Sequence, residues 1–272
     1  MNEKTHEHPL YGAVSRENGW VPAPGYVLRR DRVLDVFRGL ARGRLLEVGC
    51  GAGALLRDLE QMGFACTGLE LGARARTIAR AICGDRPGIV LVDAPAPDWN
   101  ASFDYVAAFE VLEHIEDDAA ALGEWHDWLA GGGKLLLSVP AGPERWNASD
   151  VWAGHFRRYT RSTLTRVLRE AGFELEHFET YGFPLSNWIE PVRALHHARV
   201  LAARGAEAGD KHAGTIESGI ERTLEGRLYP LQASWLGTSI LRAACKLQRA
   251  FAHRELGTGY LVVARRADAG RT

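Results

Sequence analysis

Cysteine is scarce and scattered: Cys50, Cys66, Cys83 and Cys245 show no short paired spacing in 272 residues, so neither a zinc knuckle nor a disulfide framework is indicated. A reducing, cytoplasmic setting is the expectation that follows. No uncharged apolar run reaches the roughly 18 residues of a membrane span, and the opening MNEKTHEHPLYG lacks the apolar core of a secretory signal. Net charge is also missing. With 33 Lys and Arg against 34 Asp and Glu, the chain carries −1, and no overall field draws it to nucleic acid or anionic lipid. Without a basic and aromatic stripe, an RNA substrate is not expected. The balance is uneven along the chain, since residues 193–272 hold 13 Lys or Arg against 7 Asp or Glu, +6, which leaves −7 for the first 192. The basic tail suits an anionic partner. No internal repeat or low-complexity tract is present.

What is present is enough apolar sequence, 46%, for a large core. From Arg44 to Tyr181 short apolar runs alternate with helical stretches, the pattern of a sheet wound by crossover helices. Strands are predicted at Leu45–Val48, Cys66–Leu69, Ile89–Val92, Tyr105–Phe109, Lys134–Val139, Phe173–Phe178 and Tyr260–Ala264. The clearest helix is Thr160–Ala171, with a Thr cap, Leu164, Val167 and Leu168 on one face, and Gly172 as its stop. Four segments are expected: 1–43 leading in, 44–181 as the α/β core, 182–257 as a helical insert, and 258–272 as the closing strand and tail. The stretch Arg204–Gly219, rich in Gly, Ala and charge, reads as a loop.

The most informative run is Leu45-Leu46-Glu47-Val48-Gly49-Cys50-Gly51-Ala52-Gly53, a buried strand entering a Gly-rich turn before a helix near Ala54. Without a Cβ, glycine lets a ligand approach the backbone, and free N–H groups at a helix start favour electron-rich atoms. Gly49, Gly51 and Ala54 also satisfy the loose dinucleotide pattern, with Glu70 placed to meet a ribose hydroxyl. A nicotinamide-dependent oxidoreductase therefore stays open beside other nucleoside-binding readings, as does a non-catalytic cofactor-binding module whose insert contacts a protein partner.

The ordered set of Glu47-x-Gly49-x-Gly51-x-Gly53, Glu70, Val92-Asp93-Ala94, Phe103-Asp104-Tyr105-Val106 and Glu110-Val111-Leu112-Glu113-His114 resembles the class I S-adenosylmethionine-dependent methyltransferase family. The resemblance implies a doubly wound, mostly parallel, seven-stranded Rossmann-like sheet with the helical insert before its last strand. It implies S-adenosyl-L-methionine as cofactor, with Gly49, Gly51 and Gly53 under its methionyl and ribose part and Glu47 near its amino group. Glu70 is then expected on the ribose hydroxyls, Asp93 and the Ala94 N–H on adenine, and Glu110 and Val111 at the reacting end. Tyr26, Arg29 and Arg30 fall where relatives cover the cofactor and pair its carboxylate, which gives residues 1–43 their expected role.

Methyl transfer is an in-line displacement, so an enzyme contributes alignment, removal of water and a deprotonated nucleophile. His114 and His155 are the candidates to take the acceptor's proton. Glu110, Glu113, His114 and His155 also resemble the set by which some small-molecule and RNA 3′-end methyltransferases hold a divalent metal, although acids here could simply begin a helix near Asp117. The acceptor is expected to be a small or lipid-like metabolite. In the insert, Leu236, Ile240, Leu247 and Phe251 share one helical face and Arg242, Lys246 and Arg249 another. This basic amphipathic stretch, 231–253, suits a substrate lid packed on the core or a peripheral membrane contact. Trp188 and Pro184 are expected to line an apolar acceptor pocket.

Overall fold

A computed structural model describes residues 5–204 and 222–267. Its centre is a 7-stranded sheet ordered β5-β4-β3-β6-β7-β9-β8. The strands are β3 (Arg44–Val48), β4 (Ala65–Leu69), β5 (Ile89–Val92), β6 (Phe103–Phe109), β7 (Leu129–Pro140), β8 (Phe173–Tyr181) and β9 (Gly259–Arg266). β3 to β7 pair in parallel, and β9 runs antiparallel between β7 and β8. The chain steps outward from β3 through β4 to β5, then returns to β6 on the other side of β3. That reversal opens a crevice beyond the carboxyl ends of β3 and β6, where open α/β sheets bind ligands.

The central strands are buried on both sides and so read as unbroken apolar runs. Successive residues point to opposite faces. Leu46, Val106, Leu135 and Leu137 join Trp125, Leu164 and Leu168 in one core. Leu45, Tyr105, Ala107 and Leu136 join Phe37, Leu56 and Phe64 in the other. The layers come from α1 (Pro24–Arg38), α2 (Ala54–Gln61), α3 (Ala73–Cys83), α4 (Asp118–Trp128), α5 (Ala148–Ala153) and α6 (Arg161–Glu170). α6 starts as its sequence predicts: the Thr160 side chain accepts the Thr163 N–H at 3.1 Å, and Gly172 follows the helix at φ +84°.

A hairpin of β1 (His6–His8) and β2 (Gly12–Val14), unannounced by the sequence, precedes α1. Buried ion pairs hold this lead in place. Arg30 makes a two-pronged pair with Asp58 of α2, at 2.6 and 2.5 Å, and also donates to the Leu10 carbonyl. Arg30 is thereby a structural residue, and the expectation that it covers a cofactor is corrected. Arg32 pairs in the same way with Glu179 of β8.

Between β8 and β9 lie α7 (Leu185–Arg204), α8 (Thr223–Gln232) and α9 (Trp235–Phe251). Beyond Arg204, the loop expected over Arg204–Gly219 falls outside the described residues. α9 packs on α1, but through a different face from the one its apolar residues suggest. Leu241, Ala244, Cys245 and Gln248 are buried, whereas Leu236, Ile240 and Leu247 are 57%, 50% and 44% exposed. Polar bonds select that face. Gln248 donates to the Leu28 carbonyl at 3.0 Å and accepts the Gly182 N–H at 3.0 Å, and Tyr11 Oη lies 2.9 Å from Thr238. Trp188 on α7 points outward at 71% exposure, correcting its placement in an acceptor pocket. Among the described residues no helix is long and apolar enough to cross a membrane.

Candidate active site

The loop leaving β3 turns through Gly49 at φ +66° and Gly51 at φ +55°, where a side chain is strained. A Cβ on Gly49 would meet Val111 Cγ2 at 2.7 Å, so the loop lies flush against the tip of β6. Among the described residues nothing lies within 4 Å of the corresponding position on Gly51, which leaves bare backbone there. Gly53, the N-cap of α2, faces Cys83 and Ala79 of α3 instead.

Glu70 at the end of β4 fixes this loop, accepting the Gly51 N–H at 2.8 Å and the Gly72 N–H at 2.7 Å. Arg76 ties the next tip to it, donating to the Glu70 carbonyl at 2.8 Å and lying 3.5 Å from the Asp93 carboxylate. Glu70 and Asp93 therefore sit side by side along the strand tips, with Ala94 next to them and exposed. Glu47, inside β3, is 5% exposed, and among the described residues its Oε2 has no partner. Burial, reinforced by Asp58 and Glu70 and opposed by Arg29, raises its carboxyl to about 8. The Tyr26 hydroxyl is another buried polar atom without a partner among the described residues.

A cleft of about 320 Å³ opens beside this row and is lined by Glu47, Gly49, Gly51, Glu110, His114 and His155, with Tyr26 and Arg29 from α1. Gly53, Glu70, Asp93, Ala94 and Val111 lie outside that lining. Bare backbone at Gly51 together with the Glu47 and Tyr26 oxygens suits a ligand that carries cationic and hydroxyl groups.

At the tip of β6, Glu110 adopts φ +59°, uncommon for a residue with a Cβ. Its Oε1 accepts from Ser138 at 3.0 Å and from the Tyr181 hydroxyl at 2.6 Å, and Arg29 lies 3.9 Å away. Sequence pattern flagged none of these partners, because Ser138 and Tyr181 come from β7 and β8. A 3-10 turn at Leu112–His114 follows, so Glu113 does not begin the next helix. Asp117 has that task, capping α4 through the Ala120 N–H. Glu113 is fully buried, with neither carboxylate oxygen partnered among the described residues. Burial, helped by Glu110, pushes it well above the carboxylate range.

His114 and His155 meet edge to face with ring centroids 4.6 Å apart. Burial and the neighbouring His155 lower His114 to about 3, so its ring stays neutral. His155 Nδ1 lies 2.9 Å from Asp150 Oδ1. Asp150 is 1% exposed, and although burial opposes its charge, hydrogen bonds from His155 and Arg158 hold it at about 2. Its carboxylate can only accept, so His155 Nδ1 is the donor in this bond. The Asn147-x-x-Asp150 spacing signals a helix cap, and Asp150 does accept the Asn147 N–H. Its second bond, to a ring five residues on, has no sequence signature. Arg158 extends the set to Glu190 of α7 at 2.7 Å, linking the insert to His155.

A family profile described as a methyltransferase domain matches residues 26–178. The ubiquinone biosynthesis O-methyltransferase of Pseudomonas aeruginosa (strain LESB58) is 28% identical over 180 residues, covering 59% of this chain and 77% of that protein. The enzyme of the same name from Paramagnetospirillum magneticum is 37% identical over 181 residues, covering 60% and 71%. Among solved structures, an S-adenosylmethionine-dependent methyltransferase from Mesorhizobium loti superimposes with a TM-score of 0.54 at 19% identity, covering 90% of this chain and 98% of that one. That last likeness speaks for the fold.

Proposed function

This chain belongs to the methyltransferase domain family and is an S-adenosylmethionine-dependent methyltransferase, and we propose that it methylates a hydroxyl oxygen of a small or lipid-like metabolite held at the His114–His155 edge of the cleft. The observation that carries this reading is the Asp150–His155 pair beside His114, whose ring is held neutral, in the lining of the same cleft as the bare backbone of Gly51. The names of the relatives, O-methyltransferases of ubiquinone biosynthesis, support an oxygen acceptor on a hydroxylated ring.

When bound, S-adenosylmethionine supplies an electrophilic methyl carbon. Glu47 receives its ammonium group and Arg29 its carboxylate, while Gly49 and Gly51 lie under its chain. Glu70 takes the ribose hydroxyls, and Asp93 and Ala94 the adenine, as strand tips do in this fold. Glu110 and Val111 border the reacting end. His155 accepts the hydrogen of the acceptor hydroxyl on Nε2. His114, at about 3, is too weak a base to store a proton and instead orients the hydroxyl. Residues 1–43 cover the cofactor end and 182–257 the acceptor end, a division supported by Tyr26 and Arg29 on one side and Ile189 and Glu190 on the other.

Turnover with radiolabelled cofactor on hydroxylated arenes, with and without a prenyl chain, tests the reading. Label in an aryl ether supports it, and label found only in amines overturns it. The lipid-like version draws on the outward residues Leu231, Trp235, Leu236 and Ile240, which form an apolar surface on α8 and α9. Liposome flotation with anionic vesicles tests this peripheral contact, and a chain that stays at the bottom of the gradient removes it.

A further inference from the structure

We propose that Glu190 of α7 is a positioning residue for the transfer, acting on His155 through Arg158 and Asp150. The inference rests on the reading that His155 receives the acceptor's hydrogen, and it adds to that reading a residue of the insert.

The connection runs through one buried carboxylate. Asp150, 1% exposed, accepts from His155 Nδ1 at 2.9 Å and from Arg158 Nε at 2.8 Å on its Oδ1. Its Oδ2 accepts from Arg158 Nη2 at 2.8 Å and from the Asn147 N–H at 2.9 Å. Bonds to both oxygens fix the plane of the carboxylate, and with it the ring that donates to it. Arg158 reaches further. Its Nη2 also donates to Glu190 Oε1 at 2.7 Å, and Asn147 Nδ2 donates to the same oxygen at 3.3 Å.

Charge decides what this second carboxylate does. As the acceptor oxygen gains the methyl group from sulfur, its proton passes to His155, and the ring becomes a cation. A carboxylate doubly bonded to a guanidinium is already neutralised by it, so Asp150 and Arg158 alone would meet that cation with no net charge. Glu190 makes the trio two carboxylates and one guanidinium, which leaves a negative charge to balance the imidazolium. Arg145, 3.7 Å from Glu190 Oε2, offsets this only in part, because 29% of its side chain is exposed against 5% for Arg158 and water screens it. The charge at Glu190 therefore counts as the transition state is reached rather than when the acceptor binds.

Glu190 belongs to the segment between β8 and β9, so the seating of α7 on α5 is what carries its charge to the site. A separate contact keeps α7 seated. His197, 8% exposed, has its Nδ1 2.9 Å from Ser149 Oγ and stacks on Trp152 with ring centroids 4.3 Å apart and planes 5° from parallel. Removing the charge at Glu190 thus leaves the helix held by a second point.

The test uses the full chain with S-adenosylmethionine and catechol. Glu190→Gln, which keeps an oxygen for Arg158 but no charge, is expected to lower kcat about 10-fold while KM for catechol and the affinity for S-adenosylhomocysteine stay within about twofold of the parent. Glu190→Asp restores part of kcat. Independently of turnover, the His155 Nδ1–H proton is followed by NMR in protein carrying isotopically labelled histidine and is identified by its absence in His155→Gln. Glu190→Ala, which removes both charge and acceptor, is expected to speed exchange of that proton with solvent about 10-fold. A Glu190→Gln enzyme with the parent's kcat, a loss carried by KM alone, or an unchanged exchange rate in Glu190→Ala overturns the proposal. A parent inert toward catechol and other hydroxylated arenes strikes the oxygen-acceptor reading instead, and the exchange rates still decide the role of Glu190.

Discussion

Glu70 accepts the N–H of Gly51 at 2.8 Å, so the acid that ends β4 also shapes the loop that leaves β3. A charged acceptor makes this bond stronger than a neutral one. Glu70→Ala should therefore weaken S-adenosylhomocysteine binding by about 10- to 100-fold, corresponding to roughly 1.5–3 kcal/mol for a hydrogen bond to a charged group. Glu70→Gln, which keeps one carbonyl oxygen, should fall between the two. Calorimetry checks the order, and equal affinity in all three proteins would remove Glu70 from the cofactor site.

Glycine at 51 and glycine at 53 should fail differently. At Gly51 an added Cβ meets no atom of the described residues within 4 Å. Gly51→Ala should cost about 1–2 kcal/mol of stability from the left-handed backbone and lose most cofactor affinity. At Gly53 the same atom comes within 2.8 Å of Cys83 Sγ, so Gly53→Ala should lose more stability than Gly51→Ala. Denaturant unfolding alongside ligand titration separates the two effects.

Glu47 gives a pH dependence whose sign follows from burial. Its carboxyl is raised from 4.5 to about 8, so the fold prefers the uncharged form. The stability this contributes is fully present below pH 4.5 and is lost as pH rises through about 8. Glu47→Gln stays neutral throughout. Without ligand, its melting temperature should exceed the parent's above pH 8 and converge with it toward pH 4.5. Parallel melting curves across that range would show that Glu47 is not held neutral.

The face by which α9 docks can be tested at adjacent positions. Gln248→Leu leaves the Leu28 carbonyl and the Gly182 N–H without their partner, at a cost of roughly 2–4 kcal/mol. Leu247→Ala alters an exposed side chain and should stay within about 0.5 kcal/mol of the parent. A larger loss at 247 than at 248 would reverse the docking face.

The sequence by itself determined the sheet and which residues stand at its strand ends. Apolar runs long enough for buried strands, glycines at turns that need positive φ, and acids at strand ends are all local signals. Parallel pairing then brings the ends of β3, β4, β5 and β6 to one edge whatever the side chains elsewhere do. The placement of Glu47, Glu70 and Asp93 at neighbouring strand ends was legible for that reason. Only the tertiary structure decided the rest. Tyr181, Ser138 and Arg29 converge on Glu110 from three distant elements, and Asp150 reaches His155 from a helix cap. Arg30 is claimed by Asp58, and α9 turns its row of Leu and Ile outward because Gln248 and Thr238 find partners on the inner side. Hydrophobic periodicity ranks faces by apolar content, whereas a buried hydrogen bond depends on a partner from elsewhere in the chain, which no local pattern contains.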